Sequence, residues 1–80
     1  MLRMPDEADE TLDARGLSCP EPIIRLAAHM KELSCGRTLK LLADDPGAKE
    51  DIPAWCRRTQ NPLVSIEEKE GMIVAIIRKK

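Results

Sequence analysis

Apolar residues recur along the chain with two distinct periods. From Ile23 the positions Ile23, Leu26, Ala27, Met30 and Leu33 fall at i, i+3, i+4, i+7 and i+10, while Arg25, Lys31 and Glu32 interrupt them. That spacing draws one stripe on a helix, and Gly36 beyond it suits a C-terminal cap. Between Thr38 and Asp44 the period changes to two, with Leu39, Leu41 and Ala43 on one side, which predicts a strand. A shorter alternation at Thr11–Ala14, with Leu12 and Ala14 pointing the same way and Gly16 as a turn, predicts a first strand.

Asp44-Asp45-Pro46-Gly47 then breaks the pattern. Residues 48–59 return to a helical spacing, with Ile52, Trp55 and Cys56 at i, i+3 and i+4. Pro53 opposes a straight helix, and a first turn restarting at Asp51 as cap would accommodate it. Leu63–Glu67, the charged turn Glu68–Gly71 and Met72–Arg78 predict a hairpin. The run MIVAII is apolar on both faces, so the last strand is either central in its sheet or covers a surface used for association.

The predicted order is strand, helix, strand, helix, strand, strand. Right-handed crossovers between parallel strands put both helices on one face. The expected fold class is therefore α/β (α+β): a two-layer βαβαββ sandwich, with a four-stranded mixed sheet whose other face is only partly covered. Residues 1–9 are polar, carry a proline and are expected to form a flexible tail, leaving residues 10–80 as a single domain.

Composition limits what such a domain does. Trp55 is the only aromatic residue among 80, so aliphatic side chains must fill the core. Thirteen basic and fourteen acidic residues give a net charge of -1, which offers no general attraction to a polyanion and argues against direct nucleic-acid binding. Arg57, Arg58, Arg78, Lys79 and Lys80 lack interleaved aromatics and read as a solvated surface. The acidic start MLRMPDEADE is unlike a signal peptide and no apolar run is long enough to span a membrane, so the expected location is cytoplasmic.

Cys19, Cys35 and Cys56 are an odd number at irregular spacing, unlike a disulfide framework. With His29 they form no C-x-x-C or H-x-x-x-H pairing, so neither a metal nor a cofactor is expected. Cys56 fits the core, Cys35 is read as incidental, and His29 as a solvated or partly covered side chain.

Cys19 is the informative one, because Pro20 and Pro22 follow it where the first helix should begin. A helix starting at Pro20 makes Cys19 the N-cap and puts the prolines at first-turn positions, where a missing N–H is harmless. Free N–H groups of Glu21 and Ile23, the helix dipole, and any contact from Arg15 or Arg25 then favour a thiolate, against Glu21. Terminal effects of about 0.3–1 kcal/mol make that activation moderate.

A disulfide-exchanging pair would need a second cysteine at position 22, which is Pro22. Cys35 lies roughly 24 Å away at 1.5 Å per helical residue. A sulfur bound to Cys19 would thus lack a neighbouring thiol to discharge it, as a sulfur carrier requires. The plainer reading of a lone cysteine before a helix is inert packing; the flanking prolines weigh against it.

LDARGLSCPEP at 12–22 and LADDPGAKEDIPAWC at 42–56 together resemble the TusA/SirA family of sulfur carrier proteins. The family's patterns are L-D-x-x-G-x-x-C-P-x-P and D-x-P-x-x-x-x-D-I-P-x-[FW]-C. The resemblance implies the βαβαββ sandwich, a persulfide on Cys19 supported by Pro20, Glu21 and Pro22, and no cofactor. It implies a carrier with a sulfurtransferase-type intermediate rather than an independent enzyme. The implied partners are a cysteine desulfurase as donor and an acceptor protein leading towards 2-thiouridine in tRNA, the carrier itself being a monomer when free. Other relatives serve sulfur oxidation, or act as SirA-like regulatory or protein-interaction modules. The chain departs from many relatives at Thr59-Gln60-Asn61-Pro62, where they carry a Gly-His turn.

In such a topology the loops after parallel strands share one edge, which should bring Cys19 and Glu21 near Asp44 and Asp45. Glu21, Asp44 and Asp45 are the expected docking rim for a basic donor surface; the alternative is that the aspartates only cap the second helix.

Overall fold

The computed structural model describes residues 8–80. Its elements are β1 (Glu10–Asp13), α1 (Glu21–Glu32), β2 (Thr38–Ala43), α2 (Ala48–Thr59), β3 (Leu63–Lys69) and β4 (Met72–Arg78). The four strands form one mixed sheet in the order β1-β2-β4-β3: β1 runs parallel to β2, while β4 is antiparallel to both β2 and β3. This is the expected βαβαββ sandwich, and the doubly apolar strand β4 is central.

Register explains which side chains meet the helices. Leu12 pairs with Leu41, and Leu39, Leu41 and Ala43 pair with Ile77, Ala75 and Ile73, so these residues share one face. With Leu26, Met30 and Leu33 of the α1 region and Ala48, Ile52, Trp55 and Cys56 of α2, the β2 and β4 residues form the core, against which the half-buried Leu12 packs. On the opposite face Ile76 is almost wholly covered while Leu42, Met72 and Val74 are half-buried.

Four local expectations change. First, α1 starts at Glu21 with Pro20 as its N-cap, so Cys19 lies one residue before the cap. Its buried stripe is Pro22, Leu26 and Met30, and Ile23 and Ala27 flank it. Second, α1 is capped by Leu33 in an extended conformation; Gly36, with φ 85°, sits in the turn to β2 and donates to the Lys79 carbonyl. Third, α2 is continuous from Ala48, with Pro53 inside it. The amides of Glu50 and Asp51 already donate to the Gly47 carbonyl, so the helix is under way before Asp51 and needs no restart there. Fourth, β3 extends through Lys69, because the hairpin turn is only Glu70-Gly71, both at positive φ (53° and 82°). That geometry matches the right-handed twist of the flanking strands.

Of the expected tail, residues 1–7 lie outside the described residues. Asp9 is tied to β2: its amide donates to the Thr38 carbonyl at 3.1 Å and its carboxylate accepts from the Thr38 amide at 2.8 Å. At the other end of the domain, Gln60 takes the left-handed conformation (φ 63°) and Asn61 bridges Thr59 Oγ1 and the Lys80 amide. The stretch Thr59–Pro62 is thus a hydrogen-bonded turn despite its unusual sequence.

Candidate functional site

The loop before α1 is held from its own strand outward. Ala14 prolongs the β1–β2 pairing by donating to the Leu42 carbonyl at 2.7 Å. The Gly16 amide then donates to both carboxylate oxygens of Asp44, at 2.9 and 3.1 Å. Gly16 has φ 84°, a conformation that glycine adopts without steric penalty. The loops after β1 and β2 therefore meet at one edge of the sheet, and Cys19 is exposed there. The Cys19–Pro20 peptide bond is cis.

The donors expected to face the sulfur are engaged elsewhere. The Glu21 amide donates to the Ser18 carbonyl at 2.8 Å, and the Ile23 amide to the Pro20 carbonyl at 3.1 Å. Arg15 makes a two-point pair with Asp13, through Nε at 2.9 Å and a terminal nitrogen at 2.8 Å, which holds the Asp13 carboxyl down at about 2. Arg25 Nε lies 3.8 Å from the Glu21 carboxylate.

Instead, Cys19 Sγ donates to Asp51 Oδ2 of α2 at 2.9 Å. That hydrogen bond raises the Cys19 thiol above its ordinary value, followed by partial desolvation and the charges of Asp51 and Asp45. The expectation of a moderately activated thiolate is thereby reversed: the groups nearest the sulfur favour the protonated thiol. Helix-end effects are small and short-ranged, and a carboxylate in hydrogen-bond contact outweighs them.

Asp45 and Gly47 complete this edge. Asp45 Oδ2 accepts from the Gly47 amide at 3.0 Å. A Cβ on Gly47 would stand 3.0 Å from that oxygen and 3.7 Å from Cys19 Cβ, so the backbone packs close beneath the cysteine. Beside the thiol lies an open cleft of about 260 Å³ between the two helices, lined by Cys19, Pro20, Ile23, Asp51, Ala54 and Arg58. Asp51, Ala54 and Arg58 are three and four residues apart in turn and so share one side of α2.

Neither Asp51 nor Arg58 has a chemical role expected from the sequence. Asp51 is nevertheless the second aspartate of the D-x-P-x-x-x-x-D pattern, and that fixed position was the available signal. Of the expected rim residues, Asp44 is bonded to the Gly16 amide and Asp45 to the Gly47 amide, while Glu21 is exposed at the start of α1.

The remaining thiols are apart from this edge. Cys35 is exposed beyond the far end of α1. Cys56 is buried, and burial pushes its thiol up to about 11. A cavity of about 310 Å³ lined by Pro53, Cys56, Arg57, Gln60, Asn61, Pro62 and Leu63 lies towards the end of α2 and includes none of the residues around Cys19. His29 Nε2 is 2.7 Å from Glu10 Oε1, which accounts for its partial cover. Among the described residues, no three His, Cys, Asp or Glu side chains are grouped to hold a metal ion, and no helix is long and apolar enough to cross a membrane.

Known proteins share both sequence and fold. The family model described as sulfurtransferase TusA matches residues 10–79. A sulfur carrier protein TusA of Pseudomonas entomophila is 44% identical over 72 residues, covering 90% of each chain. A sulfur carrier protein TusA of Pseudomonas aeruginosa is 40% identical over 77 residues, covering 96% of this chain and 98% of that one. The crystal structure of a SirA-like protein from Desulfitobacterium hafniense superposes with a TM-score of 0.76 at 27% identity, covering 86% of this chain and 95% of that one.

Proposed function

The chain belongs to the TusA family of sulfur carrier proteins, and on that premise we propose that it carries sulfur as a persulfide on Cys19. The observation that carries this reading is the placement of the thiols. Cys19 is exposed at the shared loop edge, with Cys35 beyond the opposite end of α1 and Cys56 in the core. A sulfur held on Cys19 has no intramolecular thiol positioned to expel it.

The donor is a cysteine desulfurase bearing a persulfide. The Cys19 sulfur attacks the outer sulfur of that persulfide, a new S–S bond forms to Cys19 Sγ, the donor's S–S bond breaks, and the donor cysteine leaves as a thiolate. Attack of an acceptor protein's thiolate on the sulfur held by Cys19 repeats the exchange and returns Cys19 to a thiol. Sulfur and its electrons move together, so neither step needs an external oxidant or reductant. The acceptor leads towards 2-thiouridine in tRNA, and the relay operates in the cytoplasm.

Pro20 and Pro22 support the site by setting the entry to α1, Pro20 as its cap and Pro22 anchored in the core face. Glu21, Asp44 and Asp45 form an acidic rim that docks a basic donor surface. Incubation with a cysteine desulfurase and free cysteine, followed by intact mass, tests the carrier reading. One added sulfur, removable by dithiothreitol and absent from Cys19→Ser, is expected. No added sulfur on the wild type, or the same gain on Cys19→Ser, ends it.

A further inference from the structure

We propose that Asp51 is a positioning residue that holds the unloaded Cys19 as a quiescent thiol and ceases to restrain the sulfur once the carrier is loaded. The proposal rests on the persulfide reading of Cys19 and adds to it a difference between the empty and loaded states.

The groups around the sulfur come from three elements. From α2, Asp51 accepts the thiol hydrogen at 2.9 Å and Arg58 lines the same cleft. From the β2–α2 loop, Asp45 contributes a second negative charge. From the start of α1, Glu21 lies beside Arg25, its guanidinium 3.8 Å away. Negative groups thus outnumber positive ones at Cys19, and the one in contact is a hydrogen-bond acceptor. Ionising the thiol in place would set two anions against each other where a hydrogen bond now stands. The thiolate is the nucleophile, so the empty carrier reacts slowly with indiscriminate electrophiles.

Loading removes this restraint chemically. The fraction of Cys19 that has lost its proton to solvent attacks the neutral donor persulfide: Cys19–S⁻ and donor–S–SH give Cys19–S–SH and donor–S⁻, and the outer proton then passes to the departed donor sulfur, leaving Cys19–S–S⁻ and donor–SH. Atoms and charge balance, and no Asp51 proton is consumed. Afterwards Sγ carries no hydrogen to donate, so the bond to Asp51 Oδ2 is lost. The negative outer sulfur is repelled by Asp51 and Asp45 and drawn to the Arg58 side of the cleft, where an incoming acceptor can reach it.

The test compares the pH dependence of Cys19 alkylation by iodoacetamide in the wild type and Asp51→Asn, each in a Cys35→Ser background and with the modified residue located by peptide mass. Asp51→Asn should shift the profile to lower pH and alkylate Cys19 several-fold faster at neutral pH, because the thiolate fraction rises once the acceptor beside the sulfur loses its charge. Coincident profiles overturn the proposal. Should Asp51→Asn fail to fold, the wild-type profile is compared with that of a free peptide GLSCPEP: a later midpoint in the protein supports the restraint, and an equal or earlier one overturns it. Sulfur loading of the wild type by the desulfurase is measured separately. Coincident profiles with normal loading remove only the role of Asp51, whereas a shifted profile without loading removes the carrier reading.

Discussion

Cys19 Sγ and Asp51 Oδ2 meet at 2.9 Å although 32 residues separate them in the chain. The cysteine precedes α1, yet its chemistry is governed by the first turns of α2. This coupling follows from the parallel pairing of β1 with β2, which brings the two strand-to-helix loops to the same edge, where Asp44 fastens them through the Gly16 amide. A change in how α2 packs against α1 is therefore a change in the reactivity of Cys19.

The acidic rim predicts a charge-dependent encounter. Glu21 is the suitable probe, because its carboxylate bonds no backbone amide among the described residues, whereas Asp44 and Asp45 hold Gly16 and Gly47. Glu21→Lys should leave the melting temperature nearly unchanged and slow sulfur loading by the desulfurase several-fold at low ionic strength. The deficit should shrink at about 0.3 M salt, where charges more than several ångströms apart are screened. Equal loading rates at low salt for the two proteins would remove Glu21 from the proposed docking surface.

Pro53 predicts a stability gain on its removal. It is the sixth residue of α2 and has no N–H for the carbonyl of Lys49, four residues earlier. Pro53→Ala restores that donor and exchanges the poorest helix former for the best. The expected gain is about 1–3 kcal/mol, read as a higher urea midpoint with an unchanged slope. A lower midpoint would mean that the ring, which lines one cavity with Cys56 and Leu63, contributes more to the folded state than the missing hydrogen bond takes away.

The elements legible in the sequence are those whose burial is one-sided. Leu39, Leu41 and Ala43 alternate because β2 has one face on the core, and Ile52, Trp55 and Cys56 keep the helical spacing because α2 does too. Strand β3 runs two residues beyond its expected end: Glu68 and Lys69 look like turn residues, yet an edge strand tolerates charges on exposed positions. The start of α1 was displaced by one residue because proline suits either the cap or the first helical position. Cys19 was legible from its prolines and from the family pattern. Its environment was not, since local arguments register the helix end and the sequence neighbours Arg15 and Arg25. The contact with Asp51 exists only once two crossovers have been folded onto one sheet.

Cys56 predicts an alkaline loss of stability. Its side chain is in the core, and burial moves the thiol from its ordinary 9.0 to about 11 in the folded protein. The folded state therefore binds this proton more tightly than the unfolded state. The resulting stabilisation is complete below about pH 9 and disappears as the pH rises towards 11, a change of up to about 2–3 kcal/mol. The effect is isolated by comparing the wild type with Cys56→Ala in urea denaturation series from pH 8 upward. The variant should begin less stable, having lost a buried sulfur, and then decline less steeply, so that the two curves converge. Parallel curves would show that Cys56 titrates at the same pH folded and unfolded, and that the core around Ile52 and Trp55 admits enough water to solvate its thiolate.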